Sequence, residues 1–209
     1  MDPFLLVALW VLWCAVHSLL IAPAVKDGMA AFLGPRMRYY RLFYNAVAVV
    51  TAAPLVYFGL ARNGPYLLVW QGGLRAVRLL LLGLAVYLFA AGARNYDGAG
   101  MLGLRQLKEG DDCTVPAKDC RLETGGILGV IRHPWYTGGI ILLWARDIDS
   151  AGLAVSSVLS VYLLLGAWLE ERKLTALYGD AYRRYRKRVS AFIPLKWIVR
   201  LAGKGRLAD

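Results

Sequence analysis

Four apolar runs decide what this chain can be. Residues 4–25, 42–61, 76–93 and 151–169 each come close to or exceed the roughly 20 apolar residues that carry an α-helix across a bilayer. In hydrocarbon, backbone N–H and C=O groups find partners only within helices or closed barrels. Runs of this length therefore predict an all-α, polytopic integral membrane protein. A fifth run, residues 135–145, has 11 residues; at about 1.5 Å per residue it falls well short of a hydrocarbon core about 30 Å thick. It is expected to fold back on the next run as a tight hairpin across residues 146–152. The reading is five transmembrane helices, the last two forming a hairpin, plus a C-terminal interfacial helix.

Composition agrees with that class. The 209 residues are 58% hydrophobic and only 19% charged, too apolar for an ordinary soluble domain. The net charge of +11 is carried by segments that flank apolar runs, which suits anionic lipid headgroups and excludes a nucleic-acid partner. With five crossings, twenty-one Lys and Arg residues fall on one side and four on the other. The positive-inside rule then puts the N-terminus outside and the C-terminus in the cytoplasm, with a cell inner membrane as the expected location. The N-terminus MDPFLLVALW lacks the basic start of a signal peptide, so the first run is expected to be retained. Cys14, Cys113 and Cys120 are too few and too dispersed for a zinc site or disulfide framework. They are read as free thiols, and no metal site is expected.

One membrane domain is expected over 1–209: three N-terminal membrane helices (1–93), a cytoplasmic loop (94–134), the hairpin (135–169) and an interfacial tail (170–209). In that tail Gly179 can stop a helix and Asp180 can cap the next. Tyr182, Tyr185 and Val189 fall at helical spacing and are read as dipping toward the acyl boundary. Arg183, Arg184, Arg186, Lys187 and Arg188 fill the other faces.

Ionisable residues near apolar runs are costly and mark candidate sites. His17 and Ser18 lie inside the first run; they read as hydrogen-bonding glue between helices, or His17 faces a reaction cavity. Tyr44 and Asn45 read as interfacial anchors. The loop NYDGAGMLGLRQ, residues 95–106, is no phosphate loop, because no GK[ST] follows its glycines. Its Arg105 and Gln106 suit either a polar ligand or headgroups.

The stretch IRHPWYTGG, residues 131–139, differs in kind. Arg132, His133, Pro134 and Tyr136 stand together at the start of the short helix, with Gly125, Gly126, Gly129, Gly138 and Gly139 shaping the chain around them. A helix N-terminus favours an anion such as a carboxylate. Glu170 and Glu171 end the last run, where acidic groups oppose the helix dipole, and such local misfits often mark sites. A hairpin would return this pair beside Arg132 and His133.

The run LETGGILGVIRHPWYTGG, followed by Glu170, Glu171, YGDAYRRYRKRV and Pro194, resembles the C-terminal half of the isoprenylcysteine carboxyl methyltransferase and phospholipid methyltransferase superfamily. The N-terminal half is similar to its methanethiol S-methyltransferase and NnrU-type branch, through His17 and Ser18, YRLFYN, and Tyr96, Asp97 and residues 103–106. The resemblance implies a membrane methyltransferase using S-adenosylmethionine. It places Gly126, Arg132, His133, Pro134, Tyr136, Glu170 and Glu171 around the cofactor.

Methyl transfer from a sulfonium to an anionic acceptor neutralises charge, so a dry membrane pocket suits it. Arg132 and helix-end amides could hold the cofactor carboxylate, and Glu170 or Glu171 its ribose hydroxyls or ammonium. For a thiol acceptor, Arg105 as a cation or His17 as a base would raise the thiolate fraction. The expected catalytic group is therefore His17, Arg105, Arg132 and Glu171. The expected partners are membrane lipids and a small or lipophilic methyl acceptor, a thiol or a prenylcysteine-like carboxylate. A phospholipid amine N-methyltransferase, an NADPH-dependent sterol-reductase-like enzyme and a non-catalytic NnrU-type accessory protein are the alternatives.

Overall fold

Asp2 starts the first helix. Its carboxylate accepts from the amides of Phe4 at 2.7 Å and Leu5 at 3.2 Å, and Pro3 has no N–H to leave unpaired. A computed structural model describes residues 2–61, 64–109 and 121–205; Cys113 and Cys120 of the sequence reading lie outside them. In chain order the elements are α1 (Pro3–Ile21), α2 (Pro23–Leu33), α3 (Tyr40–Leu60), β1 (Tyr66–Leu68), α4 (Leu74–Ala93), α5 (Gly98–Leu102), α6 (Leu104–Glu109), α7 (Pro134–Trp144), β2 (Ile148–Asp149), α8 (Ser150–Arg188) and α9 (Leu195–Gly205). A 3-10 turn at Gly34–Tyr39 precedes α3 and another spans Gly126–Gly129.

The described residues are mostly helical, and four stretches, Pro3–Ile21, Pro23–Leu60, Leu74–Ala93 and Ser150–Arg188, are long and apolar enough to cross a membrane. Their outward side chains are uncovered: Val49, Val50, Leu79 and Leu80 are all more than two-thirds exposed, as hydrocarbon-facing residues would be. The short run is a short helix, α7, with 11 residues.

Three local expectations are corrected. The first helix ends at Ile21 rather than near Val25, because Ala22 is extended ahead of Pro23, as the residue before a proline prefers. The segment 26–41, which the five-crossing layout makes a cytoplasmic loop between the first two runs, is largely helical: Pro23 opens α2, and Gly34, at φ +52°, ends it. The segment 95–106 likewise folds into α5 and α6 in place of an open loop, separated at Gly103, whose φ is +90°. A two-stranded antiparallel pair, β1 with β2, also departs from an all-α chain.

The described residues group into two compact units. Unit 1 takes those of Met1–Val69, Gly98–Thr114 and Asp147–Tyr162. Its core is Leu6, Trp10, Leu55 and Val155, and Cys14 is buried there as a free thiol. A side chain at Gly103 would meet the Leu42 amide at 2.8 Å, so the α5–α6 turn lies directly on the start of α3.

Unit 2 takes those of Trp70–Asp97, Val115–Arg146 and Leu163–Asp209. Small residues let its helices approach. A methyl group at Gly138 would stand 3.0 Å from Phe89, and one at Gly92 would run into the Trp135 indole, whose Nε1 donates to the Phe89 carbonyl at 3.0 Å. Methyl groups at Gly139 and Gly166 would stand 3.3 Å from Leu163 and Tyr136 respectively, so α7 packs on α8 around Leu163 and Gly166. Helix α8 breaks at Gly179, φ +55°, as its glycine suggests. Beyond the break Tyr182, Tyr185 and Val189 are not at a lipid boundary. They are buried, 1%, 8% and 5% exposed, against Leu122, Leu174 and Tyr178, because the helix turns this apolar face inward and the Tyr185 hydroxyl donates to the Leu128 carbonyl at 2.6 Å.

Candidate functional site

The chain around Arg132 and His133 is held as a strand would be. Their amides donate to the carbonyls of Ser190, at 2.9 Å, and Ala191, at 3.0 Å, and Ile131 bridges Ser190 in parallel. His133 then caps α7, Pro134 fills its first position, and the Thr137 hydroxyl donates back to the His133 carbonyl at 2.9 Å. These bonds fix where both side chains leave the backbone.

Both reach Glu171. Arg132 Nε donates to Glu171 Oε1 at 2.8 Å and Nη2 donates to the same oxygen. His133 Nε2 donates to it at 3.1 Å. Arg186 Nε lies 3.1 Å from Glu171 Oε2. The other arm of the Arg132 guanidinium donates to the carbonyls of Arg186, at 3.3 Å, and Val189. His133 and Glu171 are 2% and 8% exposed, so this is a buried ion cluster whose charges are paired, as burial requires. Glu171 lies past the apolar stretch of α8. Burial alone would raise its pKa, but the bonds from His133 and Arg132 outweigh that and hold it down to about 2.

Glu170 sits differently. Its Oε2 is 3.8 Å from His133 Nδ1, beyond hydrogen-bond reach. The His133 ring is further fixed by a perpendicular Tyr136 ring at 5.4 Å and a stacked Phe192 ring at 5.6 Å. Gly126 takes φ +53°, and a side chain there would sit 3.1 Å from Asn95 Oδ1. The Tyr182 hydroxyl is buried and, among the described residues, has no hydrogen-bond partner. Burial foremost, then the charge of Glu171, keeps it protonated far above its ordinary range. Tyr96, edge-on to Trp135 at 4.8 Å, is held neutral by burial and by Glu170.

Of the residues singled out in the sequence, Arg132, His133, Glu170 and Glu171 come together, with Pro134 and Tyr136 beside them on α7 and Gly126 in the preceding turn. His17 and Arg105 belong to unit 1. His17 is in hydrogen-bond contact with the Tyr44 hydroxyl and stacks on Trp13 at 4.7 Å, while Ser18 donates to the Tyr162 hydroxyl at 3.4 Å. Asn45 donates to the Met101 carbonyl at 2.9 Å, so Tyr44 and Asn45 make internal contacts in place of the interfacial anchoring expected of them. Arg105 is half-buried on α6. Sequence reasoning missed Arg186, Tyr182 and Phe192, since a run of basic and aromatic residues looks the same whether it faces lipid or a buried carboxylate.

The sequence model of a family described as "NnrU protein" matches residues 5–203. Over 187 residues, 88% of this chain and 70% of the relative, the chain is 30% identical to methanethiol S-methyltransferase 2 of Bradyrhizobium diazoefficiens. It is 39% identical over 98 residues to methanethiol S-methyltransferase 1 of the same organism, covering 45% of this chain and 33% of the relative. It is 36% identical over 84 residues to the protein-S-isoprenylcysteine O-methyltransferase of Schizosaccharomyces pombe, covering 37% and 35%. With several of these relatives the match spans only about a third of their length, and no solved structure matches. A profile match running through nearly the whole chain, joined to a relative matched over 70% of its length, settles the lineage: the chain belongs to the NnrU protein family.

Proposed function

We propose that this protein is an integral membrane methyltransferase that uses S-adenosylmethionine and methylates a small or lipophilic acceptor, a thiol in the first place. The observation that carries the reading is the division of labour at the end of the apolar part of α8. Glu171 is consumed by Arg132, His133 and Arg186, while Glu170 and the Tyr182 hydroxyl beside that cluster have polar atoms to offer a ligand. The names of the relatives supply the chemistry.

These residues fit the cofactor. When bound, S-adenosylmethionine supplies a sulfonium methyl group that an anionic acceptor takes by in-line displacement. Glu170 would accept from the cofactor's ribose hydroxyls or ammonium group, and the Tyr182 hydroxyl would donate to its carboxylate. The positive end of the α7 dipole favours the same anion. Gly126, Pro134 and Tyr136 shape the wall, and His133 orients it. Arg132 and Glu171 act as positioning residues, because the guanidinium is already spread over Glu171 and two carbonyls.

In this reading α7 and the apolar part of α8 form a hairpin, the chain crosses the membrane five times, and the basic asymmetry places the C-terminus in the cytoplasm of a cell with the protein in its inner membrane. The test is thermal unfolding of the full chain in detergent. S-adenosylhomocysteine at about 100 times its Kd stabilises by about 2.7 kcal/mol, which raises the melting temperature, and NADPH leaves it unchanged. No shift with S-adenosylhomocysteine overturns the proposal.

A further inference from the structure

Beyond Arg186, helix α8 ends in two cations with no acidic partner among the described residues. Lys187 and Arg188 close it, and α9 returns Lys196 and Arg200, one helical turn apart, against the same end. Lys196 Nζ donates to the Arg186 carbonyl and Arg200 Nη2 to the Arg188 carbonyl, each at 2.7 Å. The last carbonyls of α8 thus gain partners, and α9 is locked in place. Between the two helices runs an open groove of about 680 Å³ lined by Lys187, Arg188, Leu195, Lys196, Val199 and Arg200. Among the described residues no acidic side chain lines it.

Four cations around one groove call for a phosphate. Leu195 and Val199 say which kind. They stand one turn apart on α9, 61% and 70% exposed, and form an apolar wall beside the charges. A free phosphate has no use for that wall, whereas a phospholipid fills both parts, its phosphate on the cations and the start of an acyl chain along Leu195 and Val199. The rest of α9 repeats the pattern, with Ile198, Leu201 and the amphipathic Trp197 open to the surroundings, as in helices that lie in a headgroup layer.

We infer that the groove between the C-terminal end of α8 and α9 is a binding site for an anionic phospholipid, with Lys187, Arg188, Lys196 and Arg200 on its phosphate and Leu195 and Val199 along its chain. Each basic residue near an anionic surface strengthens binding severalfold, and the set selects against a zwitterionic headgroup of the same chain length. The site uses none of the residues proposed to hold the methyl donor.

Native mass spectrometry of the full chain in neutral detergent tests this, with phosphatidylglycerol, phosphatidylcholine of identical chains, and inorganic phosphate as probes. Phosphatidylglycerol is expected to be retained at least about fivefold better than phosphatidylcholine, and millimolar inorganic phosphate not to displace it. The Lys187→Gln/Arg188→Gln variant lowers its occupancy about tenfold or more. Val199→Ser lowers it as well while leaving all four cations and both carbonyl caps in place. Equal retention of the two lipids, displacement by inorganic phosphate, or unchanged occupancy in both variants overturns the assignment.

Discussion

Glu171 Oε1 receives Arg132 Nε at 2.8 Å and His133 Nε2 at 3.1 Å, although the carboxylate and its two partners are nearly forty residues apart in the chain. This shared oxygen ties the start of α7 to the end of the apolar part of α8. It also separates two adjacent glutamates into different roles. Glu171 binds Arg132, His133 and Arg186, and Glu170 is the glutamate that the proposed function assigns to the ligand.

Substitution should expose that separation. Removing one partner of a buried ion pair strands the other charges and costs about 3–5 kcal/mol. Glu171→Gln is therefore expected to lower the melting temperature sharply, and Glu170→Gln to leave it nearly unchanged while weakening S-adenosylhomocysteine about tenfold, close to one charge-assisted hydrogen bond. Thermal unfolding and calorimetric titration of both variants read this out. Equal effects on both quantities would contradict it.

Tyr182 gives the complementary case. Its hydroxyl is buried without a partner among the described residues, a state that costs about 1–3 kcal/mol. Tyr182→Phe should hold or raise the stability of the ligand-free protein and lower donor affinity. A drop in stability with affinity unchanged would assign the hydroxyl a purely structural bond.

Acid should act through Glu171. Its carboxyl is held at about 2, below its ordinary 4.5, so the folded state favours the charged form. That stabilisation is complete above 4.5 and is lost progressively as the pH falls toward 2. Melting temperatures of the full chain and of Glu171→Gln, followed from pH 6 to 2.5, should converge at the acid end. Parallel curves would place the acid sensitivity elsewhere.

Packing of α4 against α7 turns on Gly92, where an added methyl group would meet the Trp135 indole. Gly92→Ala is expected to destabilise by about 1–3 kcal/mol through overpacking. Gly83, whose added methyl would meet nothing, is the control on the same helix.

The membrane helices were readable because length and hydropathy alone decide them, and so was the break at Gly179, which needs only a residue at ease with positive φ. The joining of Glu171 to Arg132 and His133 followed from assuming that a run too short to span turns back. What escaped was context. Tyr182 and Tyr185 share the 3.6-residue period of an interfacial helix, and nothing local shows that Leu122 and Leu174 cover them. Arg186 is one of five cations between Arg183 and Arg188, and only the fold singles it out for Glu171 Oε2. Segments 26–41 and 95–106 read as loops because their charges and glycines obscured short helices that tertiary contacts sustain, such as the approach of Gly103 to Leu42.

The most direct test of the central claim is transfer of labelled methyl from S-adenosylmethionine by the full chain in detergent, with methanethiol, a prenylcysteine and a phospholipid amine offered in parallel. The account predicts label in the thiol product, reduced at least about tenfold in His133→Ala and Glu170→Gln. Absence of label in all three acceptors, from protein that is folded, would contradict it.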